Sequence, residues 1–380
     1  RHDRRKAPPR LRPRAGQDAA HRLRGLVVAG LVWLAATGAS AQTLRVATFH
    51  GDLSRDGPGL LLRDIRGGQD AQIEAVARVI ARVAPDVLLL LDVDYDHDLV
   101  TLSALRDRIA LVGPQYPHLF ALRPNTGWPT GLDMDGDGRE GRARDAQGYG
   151  QFPGQGGMAL LSQLPVRTGG VRDFSRLSWR DLPGAHLPEH PDGTPFPSEA
   201  AQAAQRLASV GSWVVPFDHE TGPLTVLAFH ATPPVFDGPE DRNGLRNRDE
   251  LRFWRLFLDG AFGSQPEARF VLMGGANNDP ADGEGRKPPL RALLTDPRLQ
   301  DPQPTRPSPV PPQPGHAGDP RLDTVAWDGP GALRVDYVLP SADWHVVDAG
   351  VHWPPPGAPG AADARAASRH RLVWVDLAIE

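Results

Sequence analysis

Arg334-Val335-Asp336-Tyr337-Val338-Leu339 and, near the C-terminus, Ser368-Arg369-His370-Arg371-Leu372-Val373-Trp374-Val375-Asp376 are two short apolar strands with a polar residue of catalytic type at one end. They set an Asp and a His where an Asp–His pair can form. Three earlier segments share this build: Ala47-Thr48-Phe49-His50, Pro85-Asp86-Val87-Leu88-Leu89-Leu90-Leu91-Asp92 and Val271-Leu272-Met273-Gly274-Gly275-Ala276-Asn277.

Working outward, Leu44–Phe49 reads as a first strand. Ala71–Ala84 reads as a helix, with Ile73, Val76, Ala77, Ile80 and Val83 at helical spacing and Pro85-Asp86 to break it. Val87–Val93 is an almost unbroken apolar run, the signature of a buried central strand. Met158–Ser162, Leu207–Val215, Leu224–His230, Phe270–Gly274, Leu333–Leu339, His345–Ala349 and Arg371–Ile379 are further strands, and Asp249–Phe262 is a second amphipathic helix. Strands outnumber helices, and the helices are spread along the chain. Two packed sheets flanked by helices, in one domain from about residue 43 to 380, are predicted. Residues 123–157, rich in Gly and Asp, and the Pro-rich residues 297–332 are expected as long loops, the latter partly disordered.

The 380 residues suffice for one large domain or two ordinary ones, and 40 Pro with 41 Gly argue against a helical bundle. A net charge of -4 gives no footprint for tight nucleic-acid binding, although local basic patches can do that work. The absence of Cys excludes disulfides and thiolate metal sites. Arg22 and Arg24, the apolar run Gly25–Ala36 and the small-x-small Ala39-Ser40-Ala41 predict a signal peptide over 22–41 and export, periplasmic or secreted, with no mature transmembrane span. An uncleaved anchor is the other reading of that run. Residues 1–21, basic and Pro-rich, are expected to be disordered sequence or an upstream mis-called start.

The ordered set of segments resembles the endonuclease/exonuclease/phosphatase superfamily, the DNase I-like proteins that include nucleases, sphingomyelinases and inositol phosphatases. The resemblance implies a four-layer α/β/β/α sandwich of two mostly antiparallel sheets flanked by helices. It also implies divalent-metal-dependent hydrolysis of phosphate esters at the strand ends. His230-Ala231-Thr232 matches the family's His-x-Thr, Asp336-Tyr337 its Asp-Tyr strand, and His370 the last residue of its Ser-Asp-His. Asp92 stands where the family has a metal-binding Glu, with Asp94 and Asp96 nearby. His50 stands where the family has Asn. Gly274-Gly275-Ala276-Asn277 keeps the Asn of Gly-Asp-x-Asn but has Gly275 in place of the Asp, and Arg369 replaces the Asp before His370.

The catalytic candidates are therefore His230, Asn277, Asp336 and His370, with Asp92 as ligand for Mg²⁺ or Mn²⁺. Asp336 fixes the His370 tautomer in this reading, while His230 and Asn277 donate to the phosphate. Arg369, His50, Arg242 and Arg246 are candidate phosphate contacts, since guanidinium suits bidentate phosphate binding. Asp279 or Asp282 is a possible substitute for the carboxylate missing at 275. The bland alternatives stand beside these: His230 satisfying loop backbone, Asp336 pairing with Arg334 or Arg371, His50 a spacer, and residues 236–250 a salt-bridged surface loop. Separately, Asp133-Met134-Asp135-Gly136-Asp137-Gly138 matches the core of a calcium loop. Arg144 occupies the position of its last ligand, so Glu140 or Asp145 would have to complete a structural Ca²⁺ shell; an acidic flexible loop is the alternative. Three functions follow: an exported phosphoesterase acting on nucleic acid, a phospholipid headgroup or a small organic phosphate; a catalytically impaired relative that binds a phosphate ligand or a partner; or a calcium-stabilised surface-binding module resting on the 133–138 loop.

Overall fold

Val87-Leu88-Leu89-Leu90-Leu91 is apolar at every position because both of its faces are covered. A computed structural model describes residues 43–379 except 267–268 and 308–309; the expected leader and the extension before it lie outside the described residues. In chain order the strands are β1 (Thr43–His50), β2 (Val87–Val93), β3 (His118–Phe120), β4 (Gly157–Ser162), β5 (Arg172–Asp173), β6 (Gly211–Phe217), β7 (Leu224–His230), β8 (Phe270–Gly275), β9 (Val325–Trp327), β10 (Gly331–Leu333), β11 (Asp336–Pro340), β12 (Val346–Val351) and β13 (Val373–Ala378). The helices are α1 (Leu60–Gly67), α2 (Ala71–Val83), α3 (Val100–Ala110), α4 (Glu199–Ala204), α5 (Arg242–Leu258), α6 (Lys287–Leu294) and α7 (Ala361–Ala367).

The strands form one sheet in the order β12-β13-β1-β2-β4-β3, a second in the order β11-β8-β7-β6-β5, and a β9–β10 ribbon. Each large sheet holds one parallel pair, β1 with β2 and β7 with β8; its other pairs are antiparallel. Strand alternation then builds the layers. Val46, Leu89, Leu91, Met158 and Val375 of the first sheet meet Trp213, Val226, Ala228, Met273 and Val338 of the second in a core between the sheets. The opposite faces, such as Phe49, Leu88 and Leu90, pack against Ile73, Val76 and Ile80 of α2. Leu227, Phe229 and Leu272 pack against Leu251, Trp254 and Phe257 of α5. This is the α/β/β/α sandwich. No helix among the described residues is long and apolar enough to cross a membrane.

Helix α2 forms where its periodicity puts it, with Asp70 accepting from the amides of Gln72 and Ile73 at its start. Three expectations are corrected. Helix α5 begins at Arg242, seven residues before the predicted start, because its first turns bury polar rather than apolar side chains, among them Arg246, Asn247, Asp249 and Glu250. The predicted strand at 207–215 is β6, which starts at Gly211; Arg246 takes the carbonyls of Leu207 and Ala208 that a ladder would have used. The Pro-rich 297–332 segment, expected as a loop, carries β9 and the first residues of β10, and β9 lies against His370 through a Val325–His370 bridge.

Gly274 sits in β8 beside Phe229 of the parallel neighbour, and a Cβ there would lie 1.9 Å from the Phe229 carbonyl oxygen. Gly274→Ala is expected to cost about 3 kcal/mol or more, the upper end of overpacking. Urea unfolding measures it, and a midpoint equal to wild type would contradict this close approach.

Candidate active site

The alternation that fills the core also builds the site. His50 shares the inward face of β1 with Leu44 and Val46, and His230 shares that of β7 with Val226 and Ala228. Asp336 shares the inward face of β11 with Val338. Register puts His50 opposite Leu91, while Gly275 lies opposite both His230 and Asp336. All of these residues therefore reach one rim of the seam between the sheets. The His50 and His370 rings stack with centroids 4.1 Å apart and planes 10° apart. The His230 ring meets His50 edge-on at 5.2 Å.

His370 Nδ1 lies 2.8 Å from Asp336 Oδ2, and both side chains are buried. Thr324 Oγ1 donates to the same oxygen at 2.8 Å. Burial alone would raise the Asp336 carboxyl, but the His370 charge and hydrogen bond bring it below its ordinary value. A charged Asp336 accepts, so His370 carries its proton on Nδ1 and presents Nε2. Arg334 and Arg371 do not compete for Asp336: Arg334 is bidentate to Asp301, and Arg371 donates to the carbonyls of Ser368 and His370. Burial lowers His50 to about 3, with a further push from the neighbouring His370. Burial likewise lowers His230 to about 3. Both rings are therefore neutral near pH 7.

Asp92 lies at the end of β2, where φ of 58° and a register shift between Leu91 and Val93 take it off the strand's alternation. Burial, then the charge of Asp52, raises its carboxyl. His50, Asp52 and Asp92 each offer a ligand atom within 4.8 Å of the others. Buried His50 Nδ1, His230 Nδ1 and Asp336 Oδ1 have no hydrogen-bond partner, His50 Nδ1 having only Asp52 Oδ1 at 3.4 Å in poor hydrogen-bond geometry. A carboxylate destabilised by burial and an orphaned imidazole nitrogen are what a divalent cation would relieve, so these residues fit one. Neither competitor of Asp92 joins them. Asp94 accepts from the amides of Arg55 and Gly156, and Asp96 caps α3 through the amides of Val100 and Thr101.

Asp52 was not among the sequence candidates. Its carboxylate takes Ser368 Oγ, the Arg369 amide and the Arg369 guanidinium, at 2.9 to 3.3 Å. Arg369 thus brings its positive charge to the rim fixed in an ion pair with Asp52, and a carboxylate absent at 369 is present across the rim at 52. The nearness of Asp52 to His50 in the chain is the one local hint; its partners Ser368 and Arg369 lie far along the sequence. Thr324 and Trp327, whose ring meets His370 edge-on at 5.5 Å, were also missed; they come from the Pro-rich segment.

The remaining candidates are held largely by loop backbone. Asn277 Nδ2 donates to the Ala231 carbonyl, tying the two motif loops together and leaving one N–H. Asp279 accepts from the amides of Ala281, Asp282 and Arg334, and Asp282 from those of Ala317 and Gly318, so both are spent on loop backbone rather than on water. A Cβ at Gly275 would sit 3.0 Å from the His230 ring and 3.1 Å from Leu91, so the space of the missing carboxylate is closed by those two side chains. Arg246 is buried against the carbonyls of Gln147, Arg206, Leu207 and Ala208, and Arg242 donates to the carbonyl of Met134; neither is placed as a phosphate contact at the histidines. Asp133, Asp135 and Asp137 do converge. Asp145 holds the amides of Met134 and Arg142 through its two oxygens, as Asp133 holds those of Gly136 and Gly138.

The sequence profile of the Endonuclease/Exonuclease/phosphatase family matches residues 65–370. Among solved structures, an endonuclease/exonuclease/phosphatase from Beutenbergia cavernae is 20% identical at a TM-score of 0.53, over 89% of this chain and 72% of that one. A family protein from Leptotrichia buccalis is 14% identical at 0.49, over 88% and 99%. Sphingomyelinase C from Streptomyces griseocarneus is 16% identical at 0.45, over 88% and 99%. No curated protein sequence matches the chain.

The neutral His230 gives a pH test. Its folded value of about 3 lies below the ordinary 6.5, so its contribution to stability is complete above pH 6.5 and is lost as pH falls toward 3. In metal-free protein, the unfolding free energy of wild type minus that of His230→Asn should decline through that window by about 1.4 kcal/mol per pH unit. Denaturant titrations at several pH values measure it; a pH-independent difference would mean the ring is not held neutral.

Proposed function

The chain belongs to the endonuclease/exonuclease/phosphatase family, and from that premise we propose that it is a divalent-metal-dependent phosphoesterase. The observation that carries this reading is the His370–Asp336 pair set against the neutral His50 and His230, with Asp52 and Asp92 at the same rim. Asp336 fixes the tautomer and direction of the His370 ring, leaving Nε2 to accept a proton from the attacking water or to hand one to the leaving oxygen. His230 and the remaining N–H of Asn277 donate to phosphoryl oxygens. His50, Asp52 and Asp92 would hold the ion, which when bound would polarise the phosphoryl group and offset its charge. Of Mg²⁺ and Mn²⁺, the imidazole donor favours Mn²⁺. Trp327, on edge against His370, limits water at that ring.

The leader pattern at 22–41 supports export, where millimolar Ca²⁺ would suit a weak site at Asp133, Asp135 and Asp137. Calorimetric titration of Ca²⁺ tests that loop: heat lost in Asp135→Asn is expected, and no heat from wild type would remove the site.

The test of the main reading is hydrolysis of a small phosphodiester and a small phosphomonoester with Mg²⁺, Mn²⁺ or Ca²⁺ and with EDTA. Turnover should need the metal, and His370→Ala should lower kcat by about 10²- to 10⁴-fold. Asp92→Asn should weaken Mn²⁺ binding followed by electron paramagnetic resonance. Folded protein without turnover under any of these metals would leave the phosphate-binding, non-catalytic relative as the reading to pursue.

A further inference from the structure

Three guanidinium groups gather around one indole on the rim that carries the histidines. Arg123 lies 4.0 Å, Arg206 4.4 Å and Arg176 6.0 Å from the ring centroid of Trp128. No carboxylate within salt-bridge distance neutralises any of the three among the described residues. Like charges are not brought together without return, and cation–π contact with Trp128 offsets only part of their repulsion.

The cluster is built rather than incidental. Arg206 donates to Asn125 Oδ1 at 2.6 Å, and Asn125 is fixed by its own amide on the carbonyls of Ser175 and Ala208. Beneath it, buried Arg246 holds the carbonyls of Gln147, Arg206 and Ala208. Topology places it. Arg123 follows β3, Arg176 follows β5 and Arg206 precedes β6, and by register each of these strand ends lies at the rim where β2 and β7 end. From β2 to β3, and from β7 to β5, is two strand spacings, about 10 Å. Two strand spacings are short enough for one nucleic-acid strand to meet both places through nearby phosphates. Tyr149, 65% exposed, lies next to Gly148, whose backbone bonds to Asn125 and Gly127 of the same loop. An exposed aromatic in that loop offers a surface on which a base can stack.

We propose that Arg123, Arg176 and Arg206 around Trp128 form an anion subsite for a second phosphate of a nucleic-acid strand whose scissile phosphate lies at the histidine cluster. The assignment of the scissile phosphate rests on the phosphoesterase reading; the anion subsite does not. The overall charge of -4 does not oppose it, because the cluster is local.

The test is fluorescence anisotropy of a labelled ten-nucleotide thymidine strand with the full protein in EDTA, so that binding is read without cleavage. Arg123 and Arg176 are exposed, so Arg123→Gln/Arg176→Gln removes their charge and their contact with Trp128 without opening the core. The double variant should raise Kd about 10-fold and reduce the slope of log K against log salt by about 1.4, at 0.7 per lost contact on a single strand. Its turnover of a small phosphodiester should equal that of wild type. Strand binding lost in the variant, with no turnover of any ester by wild type, would keep the subsite and remove the phosphoesterase reading. Equal binding and equal salt slope in both proteins would overturn the subsite. Wild-type binding to anionic phospholipid vesicles but not to the strand would overturn the nucleic-acid assignment in favour of a lipid headgroup.

Discussion

Each large sheet contains a single parallel pair joined through a helix, β1-α2-β2 in one and β7-α5-β8 in the other, and this constraint decides where everything polar can go. Parallel strands finish at the same edge, and their crossover helix must cover the outer face. Two such units packed face to face, with their carboxyl ends at one rim, bring His50 and His230 together from opposite sheets. The antiparallel strands then enter from the same rim, so Asp336 at the start of β11 and His370 just before β13 arrive there too. Groups separated by more than three hundred residues meet because of strand direction, not because of any local motif.

The second condition is that loops at this rim stay fixed, and α5 does that with polar side chains. Asn247 donates to the carbonyls of Thr232 and Ala276, which flank the His230 and Asn277 motifs. Glu250 accepts from the amides of Thr232 and Ser209. Arg246 holds the segment that carries Arg206. Buried polar groups of this kind are costly unless satisfied. Here each satisfies backbone that no ladder could reach, so the inner face of the helix serves the active-site loops as much as the core.

That arrangement explains what the sequence revealed and what it hid. Strands such as Val87–Val93 and the helix at 71–83 were legible, because alternation and 3.6-residue periodicity are direct traces of burial. His230, Asp336 and His370 were legible by their position at strand ends. The first turns of α5 were hidden, because Arg246, Asn247 and Glu250 read as a charged surface when they are the opposite. Asp52 and Thr324 act through contacts across the fold, with Ser368 and Arg369 in one case and Asp336 in the other, and no spacing in the chain encodes those meetings. Arg242 and Arg246 misled for the same reason: a guanidinium suits a phosphate and a cluster of carbonyls equally well.

The departures from the family pattern make sense as a redistribution of charge. The pattern supplies carboxylates at the positions of Asp92, Gly275, Asp336 and Arg369. In this chain two of those four are gone, Arg369 adds a positive charge, and Asp52 returns one negative charge that is bound to it. The space beside Gly275 is taken by the neutral His230 ring, which burial keeps uncharged. Asp52 and Arg369 offset each other and Asp336 is paired with His370, so Asp92 is the carboxylate of the pattern left without an ion-pair partner, a balance that under the proposed reading suits one divalent ion rather than two. In the proposed reaction the burden of moving protons therefore shifts from a carboxylate on β8 to the imidazole of His370, which Asp336 already holds in the required tautomer.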